Sequence, residues 1–292
     1  METSLKNSIF QLVGNTPMVK ISDRVYGKLE TYNPTGSVKD RMISYILSDA
    51  LLSEEINSGT HLIEATSGNT GISLSAFGAS LGMKVTIIMP CNMSEERKSM
   101  MRTYGAEIIE VGPSDFKGAI ALREQMVKED PNAWSPHQFE NELNVMCHAY
   151  TTGPEIAKDI SVSYVDWSAF VSGAGTGGTM MGVQHFLSSN GHHNVECVLT
   201  VPAEDAETHG IQGINDGADF LLEREEVDLI EEVKTQDAID RAQRLAKELG
   251  LLVGISAGAN VLAAEKYVKE KDPDGVVVTM LCDRGERYMS IY

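Results

Sequence analysis

The chain has 292 residues, with 24 Lys and Arg against 42 Asp and Glu, and its formal net charge of −18 argues against a nucleic-acid backbone or an anionic membrane as the main partner. Hydrophobic residues make up 42% and charged residues 23%, with no apolar run of membrane-spanning length and no basic and apolar leader, so a cytoplasmic protein of one compact unit or two intimately built domains is expected. Cys91, Cys147, Cys197 and Cys282 are widely separated without a C-x-x-C, and the seven histidines show no ligand spacing, so inert thiols and no metal site are expected.

In chain order, the first informative stretch is "NPTGSVKDRM", residues 33–42, a turn-forming Asn-Pro-Thr-Gly directly before Lys39. Lys39 opens a helix whose apolar residues, Met42, Ile43, Ile46, Leu47, Ala50 and Leu51, recur three and four apart. A cation there faces the positive end of the helix macrodipole, where an acid is preferred, so something has to hold it in place. Next, the strand "HLIEA" at 61 runs into "TSGNTG", residues 66–71, and then into a helical pattern. Its hydroxyls and amide can cap that helix, and the first-turn N–H groups remain available to an anion. Strands follow at "KVTIIM" (84) and "EIIEV" (107).

The strand "SAFVS" at 168 leads into "VSGAGTGGTMMGV", residues 171–183. Gly173, Gly175 and Gly178 satisfy G-x-G-x-x-G, with Glu204 and Asp205 downstream as candidate ribose acids, so a dinucleotide is one reading. The same backbone suits a single phosphate, wrapped by Gly175, Thr176, Gly177, Gly178 and Thr179. After "VECVLTV" at 195 comes "LLVGI" at 251, read as a buried strand with Ser256 at its end in "VGISAGANVL", and a last strand at "GVVVTML" (275). Strand and helix patterns alternate throughout, which predicts an α/β fold with mostly parallel sheets.

A lysine, a phosphate cradle, an anion-binding helix start and a strand-end hydroxyl together describe a pyridoxal phosphate site. The motifs "VGNTPMVKI", "NPTGSVKDR", "EATSGNTGISL", "GTGGT", "IQGI", "GISAGA" and "CDRGERYMS" occur in this order. The sequence resembles the O-acetylserine sulfhydrylase (cysteine synthase) and cystathionine β-synthase family of fold-type II pyridoxal phosphate enzymes. The resemblance implies a tryptophan synthase β-like architecture: two three-layer α/β/α domains, with the cofactor in the cleft between them. The expected division is a smaller mobile domain, 35–138, and a larger one formed by 1–34 with 139–292.

It implies further that Lys39 is the Schiff-base and catalytic lysine. Asn69 would bond the cofactor 3′-oxygen, residues 175–179 its phosphate and Ser256 its pyridine nitrogen, with Cys282 near it. Thr66, Ser67, Gly68, Thr70, Gln138 and Gly213 would receive the amino-acid substrate. The implied reaction is β-replacement on O-acetyl-L-serine through an α-aminoacrylate, giving L-cysteine from sulfide or another sulfur donor. Cystathionine β-synthase-type replacement on serine is the alternative within the family, and a nicotinamide-dependent dehydrogenase the one outside it. The family also implies a homodimer and, in A-type members, binding of the serine acetyltransferase tail. The closing "CDRGERYMSIY" is more similar to B-type enzymes, and Cys282, Asp283 and Arg284 would place polar groups near the cofactor. Three features depart from the family pattern: a shortened "ISDRVYGKLE", Glu142 where a proline is usual, and an acidic "NDGAD" after Gly213.

Overall fold

A computed structural model describes residues 8–66, 68–163, 165–205, 208–214 and 219–292. Its contacts divide the chain into two units, residues 8–13 with Asn33–Asn141, and Gly14–Tyr32 with Glu142–Tyr292. The expected boundaries differ chiefly at residues 8–13, which cluster with the smaller unit. Phe10 sets its ring edge against buried Phe77 there, with centroids 4.8 Å apart and an 85° interplanar angle.

Among the described residues the strands are β1 (Met18–Lys20), β2 (Val25–Leu29), β3 (His61–Ala65), β4 (Lys84–Pro90), β5 (Glu107–Val111), β6 (Ala133–Trp134), β7 (Trp167–Gly173), β8 (Glu196–Pro202), β9 (Leu229–Val233) and β10 (Val276–Leu281). The smaller unit has one sheet in the order β5-β4-β3-β6, parallel throughout. The larger unit's sheet runs β1-β2-β10-β7-β8-β9, and only the β1–β2 pair is antiparallel. Every residue of β3 and of β10 is buried, as in a parallel sheet covered on both faces, although β3 carries His61 and Glu64 among its apolar residues. The shortened "ISDRVYGKLE" segment is accounted for by the tight β1–β2 hairpin, with Val19 opposite Gly27.

Both sheets reverse direction of growth at one strand. In the smaller unit the chain adds β4 and β5 on one side of β3, then places β6 on the other. In the larger unit β8 and β9 lie on one side of β7 and β10 on the other. Open α/β sheets bind ligands beyond the carboxyl end of the strand where the order reverses. Residues 66–70 follow β3, and residues 174–179 follow β7.

One expected strand is absent. In "LLVGI" only Val253 makes a bridge, to Arg284, and the segment is an extended connection between the helices Thr235–Leu249 and Ile255–Lys271. Gly250, at φ 70°, ends the first helix with its N–H on Ala246 O. Five residues later the next helix has begun, so Ser256 lies in its first turn and not at a strand end. A short buried apolar run has no periodicity that tells a strand from a buried connection.

These two helices pack against each other at Gly258, where a Cβ would stand 2.1 Å from the Ala238 carbonyl oxygen. No helix among the described residues is long and apolar enough to cross a membrane.

Gly258→Ala is expected to destabilise the protein by about 1–3 kcal/mol through overpacking, read as a lower urea midpoint. An unchanged midpoint would show that the two helices spread without cost. The thiols differ in reactivity: Cys91 is exposed, whereas Cys147 and Cys197 are buried. Burial, with a smaller contribution from Asp228, pushes the Cys197 thiol up to about 12, so its thiolate fraction at pH 8 is roughly one in ten thousand. In a native titration with a disulfide reagent, Cys91 should react at once, and Cys147 and Cys197 only after denaturation.

Candidate active site

The turn before Lys39 is held by its own helix. The Gly36 N–H donates to Asn33 O at 2.8 Å, and Gly36 adopts φ 85°, which a glycine takes without strain. Asp40, fully buried in the first turn of the helix Lys39–Leu52, accepts the Thr35 N–H at 2.7 Å and the Thr35 hydroxyl at 2.5 Å. This carboxylate supplies the negative charge that the helix N-terminus favours. Lys39 is half-buried and has no ion pair or hydrogen-bonding partner for its side chain among the described residues. Two residues earlier the Ser37 hydroxyl is buried and likewise without a partner there.

Thr66, Gly68, Asn69 and Thr70 lie between the end of β3 and the first turn of the helix Asn69–Leu81, and Ser67 falls outside the described residues. Thr66 Oγ1 accepts the Gly68 N–H at 3.1 Å. Gly68 has no room for a side chain, since a Cβ would meet Arg97 Cδ at 2.5 Å. The Thr70 hydroxyl donates to Gln138 Oε1 at 2.6 Å, and Gln138 Nε2 donates to Ala65 O at 2.9 Å. The structure therefore joins Gln138 to Thr70 across 68 residues of sequence.

Behind them is a group that motif reading passed over, although its glutamate stands in "EATSGNTG". Glu64, fully buried, accepts hydrogen bonds from Arg123 Nη1 at 3.0 Å, the Gln138 N–H at 3.1 Å and the Ala65 N–H at 2.8 Å. Burial pushes its carboxyl up from the ordinary value, opposed by the Arg123 charge and the two backbone donors.

In the larger unit the glycines of residues 175–179 are required by close packing. A Cβ at Gly175 would meet the Gly213 carbonyl oxygen at 2.6 Å, one at Gly177 the Leu222 nitrogen at 2.4 Å, and one at Gly178 the Asn144 Oδ1 at 2.1 Å. Gly177 is also in the left-handed region at φ 92°. The Thr176 hydroxyl accepts from Asn144 Nδ2 at 2.9 Å, and the Thr176 carbonyl accepts the Leu221 N–H at 3.0 Å. Thr179 Oγ1 lies 3.2 Å from His148 Nε2, and His148 Nδ1 lies 2.8 Å from Thr152 Oγ1 within a π-helical turn, His148–Thr152. The loop opens the helix Gly178–Ser189, whose first-turn N–H groups have no intrahelical acceptor. Glu142, at the N-cap of the helix Leu143–Cys147, accepts the Val145 N–H at 3.0 Å and so starts the segment that carries Asn144 and His148.

Asn260 links the remaining pieces. Its Oδ1 accepts the Gly173 N–H at 2.8 Å, and its Nδ2 donates to Met280 O at 3.0 Å, with Cys282 Sγ at 3.6 Å. One buried amide thus ties the ends of β7 and β10 together, four residues beyond Ser256 on the same helix. Nothing local in "GISAGANVL" marks that role, since the partners are 87 and 20 residues away.

The closing "CDR" is held at several points. Asp283 is fully buried and accepts the Tyr288 hydroxyl at 2.6 Å, and Arg284 Nε donates to Thr31 O at 2.8 Å. Cys282 Sγ lies beside Asn260. Gly213 is exposed at φ 88°, its carbonyl against Gly175, and the acidic 215–218 lie outside the described residues. Glu204, the candidate ribose acid, instead accepts the Thr235 N–H at 2.9 Å and so caps the helix Thr235–Leu249.

Taken unit by unit, these groups fit pyridoxal phosphate. An amine without a partner among the described residues suits its aldehyde, a loop whose glycines have no room for side chains suits its phosphate, and a neutral buried hydroxyl suits its ring nitrogen. Residues 9–283 match the family described as pyridoxal-phosphate dependent enzyme. The chain is 41% identical to cysteine synthase B of Campylobacter jejuni, covering 97% of this chain and 96% of that one. Among solved structures, a hydrogen sulfide-producing enzyme from Fusobacterium nucleatum is 38% identical with a TM-score of 0.92, over 100% of this chain and 92% of that one. An O-acetylserine dependent cystathionine beta-synthase from Helicobacter pylori is 30% identical with a TM-score of 0.90, over 98% of both. The chain belongs to the pyridoxal-phosphate dependent enzymes of fold type II, and pyridoxal phosphate is its cofactor.

Proposed function

We propose that the chain is a cysteine synthase, which replaces the β-acetoxy group of O-acetyl-L-serine with sulfide to give L-cysteine and acetate. The observation that carries this reading is the pair of loops at the two strand-order reversals, one suited to an amino-acid carboxylate and the other to a phosphate. The likeness to a cysteine synthase along nearly the whole chain supports it.

When bound, pyridoxal phosphate supplies an electron sink for the substrate's Cα–H bond. Lys39 Nζ would hold the cofactor through its aldehyde, and the same amine would accept the Cα proton and return it to the product. The helix start at 66–70, braced by Gln138, would take the substrate carboxylate through its main-chain N–H groups, and Asn69 would also serve the cofactor 3′-oxygen. Residues 175–179 take the phosphate. Ser256 Oγ offers the ring nitrogen a neutral partner, which does not hold that nitrogen protonated as an acid would, and this favours elimination and replacement over transamination.

On the same reading the enzyme is a cytoplasmic homodimer, open to the C-terminal tail of a serine acetyltransferase. The net charge of −18 and the exposed Tyr150 and Val162 agree with a protein that stays dispersed yet keeps apolar surface for a second copy. Sedimentation at micromolar concentration should give twice the chain mass.

Lys39→Ala should remove the visible absorption of the lysine-bound cofactor and essentially all β-replacement. Borohydride reduction and peptide mapping should put the pyridoxyl label on Lys39, and a label on another lysine overturns the assignment. In donor assays with O-acetylserine, sulfide should yield cysteine rapidly. Rapid use of homocysteine with slow use of sulfide would instead make the chain a cystathionine β-synthase.

A further inference from the structure

A continuous set of hydrogen bonds runs inside the smaller unit from Arg123 to Thr70. The Arg123 side chain is only 2% exposed on the helix Phe116–Glu129, and its Nη1 meets Glu64 at 3.0 Å while Nε and Nη2 hold Glu124. Glu64 uses both carboxylate oxygens: Oε1 accepts from Arg123 and the Ala65 N–H, and Oε2 accepts the Gln138 N–H. The Gln138 amide is oriented by its bond to Ala65 O, which leaves Oε1 to accept the Thr70 proton. A buried ion pair often stabilises a protein less than apolar residues of the same volume, so stability alone does not explain this one. Besides Arg123, its carboxylate holds two main-chain N–H groups, those of Ala65 and Gln138, at the two ends of the substrate loop's support.

We propose that Glu64 and Arg123 are positioning residues for the amino-acid carboxylate site. The pair fixes the main chain of Ala65 and Gln138, and Gln138 in turn fixes Thr70 and the helix start it belongs to. This rests on the reading that residues 66–70 bind that carboxylate. The geometry also specifies how they bind it. A hydroxyl has one proton, and Thr70 gives its own to Gln138, so Thr70 Oγ1 presents only lone pairs to a ligand. The donors for an anion are then main-chain N–H groups of the first helical turn, Thr70 and Gly71 among them. Thr70 acts by holding that turn in place.

The test uses cofactor-loaded wild type, Glu64→Gln, Thr70→Ala and the double variant. L-Alanine is the probe, because it has no β-leaving group and its binding is read from the cofactor's visible spectrum. Glu64→Gln should raise the apparent Kd for L-alanine and the KM for O-acetylserine by tenfold or more. Its kcat at saturating substrate should stay within about threefold, and its visible spectrum without amino acid should be unchanged. The double variant should bind L-alanine little worse than Thr70→Ala alone, since both changes break one connected set of bonds. Additive effects in the double variant, or a Glu64→Gln Kd within twofold of wild type, would overturn the proposal. Thr70→Ala with wild-type affinity would instead overturn the underlying assignment of the carboxylate loop. Should Glu64→Gln fail to fold, Arg123→Lys decides by the same readout, a Kd raised severalfold supporting the role and an unchanged Kd ending it.

Discussion

When a parallel sheet grows first to one side of a strand and then to the other, the loops leaving neighbouring strands turn away from each other and open a crevice at the carboxyl edge. Both sheets of this protein do so, at β3 and at β7, and the candidate loops occupy those places. The long-range hydrogen bonds around them serve the same geometry. Gln138 braces the loop after β3, and Asn260 ties the end of β7 to the end of β10 on the other side of the reversal. Loops at such positions gain no support from sheet pairing, so side-chain amides and close-packed glycines hold them instead.

Charge makes Lys39 conspicuous. Acids exceed bases by 18, and several buried cations have a carboxylate within reach. Lys28 is held by Glu155 and Asp159, Lys98 by Glu95 and Glu110, and Arg241 by Glu265 and Glu248, each cation almost fully buried. A buried cation without such partners loses hydration and gains nothing in return. Lys39, half-buried and without a carboxylate among the described residues, is the arrangement expected of an amine that has a covalent use.

The legible parts of the sequence are those in which the signal is local. "HLIEA", "KVTIIM", "EIIEV" and "GVVVTML" announce β3, β4, β5 and β10 through short runs rich in β-branched and apolar residues, and the glycine-rich openings announce the two loops. "LLVGI" has the same composition and is not a strand, because what decides it is a helix cap at Gly250 and a new helix at Ile255. β9, "LIEEV", lies at the edge of its sheet with Ile230 and Glu232 exposed and Glu231 buried, so no alternation of apolar and polar residues announces it. Glu64 with Arg123, Asn144 with Thr176, and Asn260 with Gly173 are partners 59, 32 and 87 residues apart. No spacing rule connects them, whereas the Asp40–Thr35 clamp, five residues apart, is within reach of turn chemistry.

The position of β2 has a consequence for the order in which the protein can be made. This strand is synthesised among the first thirty residues, yet in the sheet it lies between β1 and β10, and β10 is completed only at Leu281. The chain meanwhile leaves the larger unit at residue 33 and returns to it at residue 142. While the ribosome is still adding the last helix, the β1–β2 hairpin therefore has an open edge for some 250 residues of elongation, and β7 lacks its neighbour on one side. The smaller unit's sheet, from His61 to Trp134, has all its strands long before that. Synthesis thus favours early closure of the part that carries Lys39, and leaves the sheet beneath the glycine loop dependent on the final segment, a long-range pairing that is slow to form and exposed to misassociation until it does.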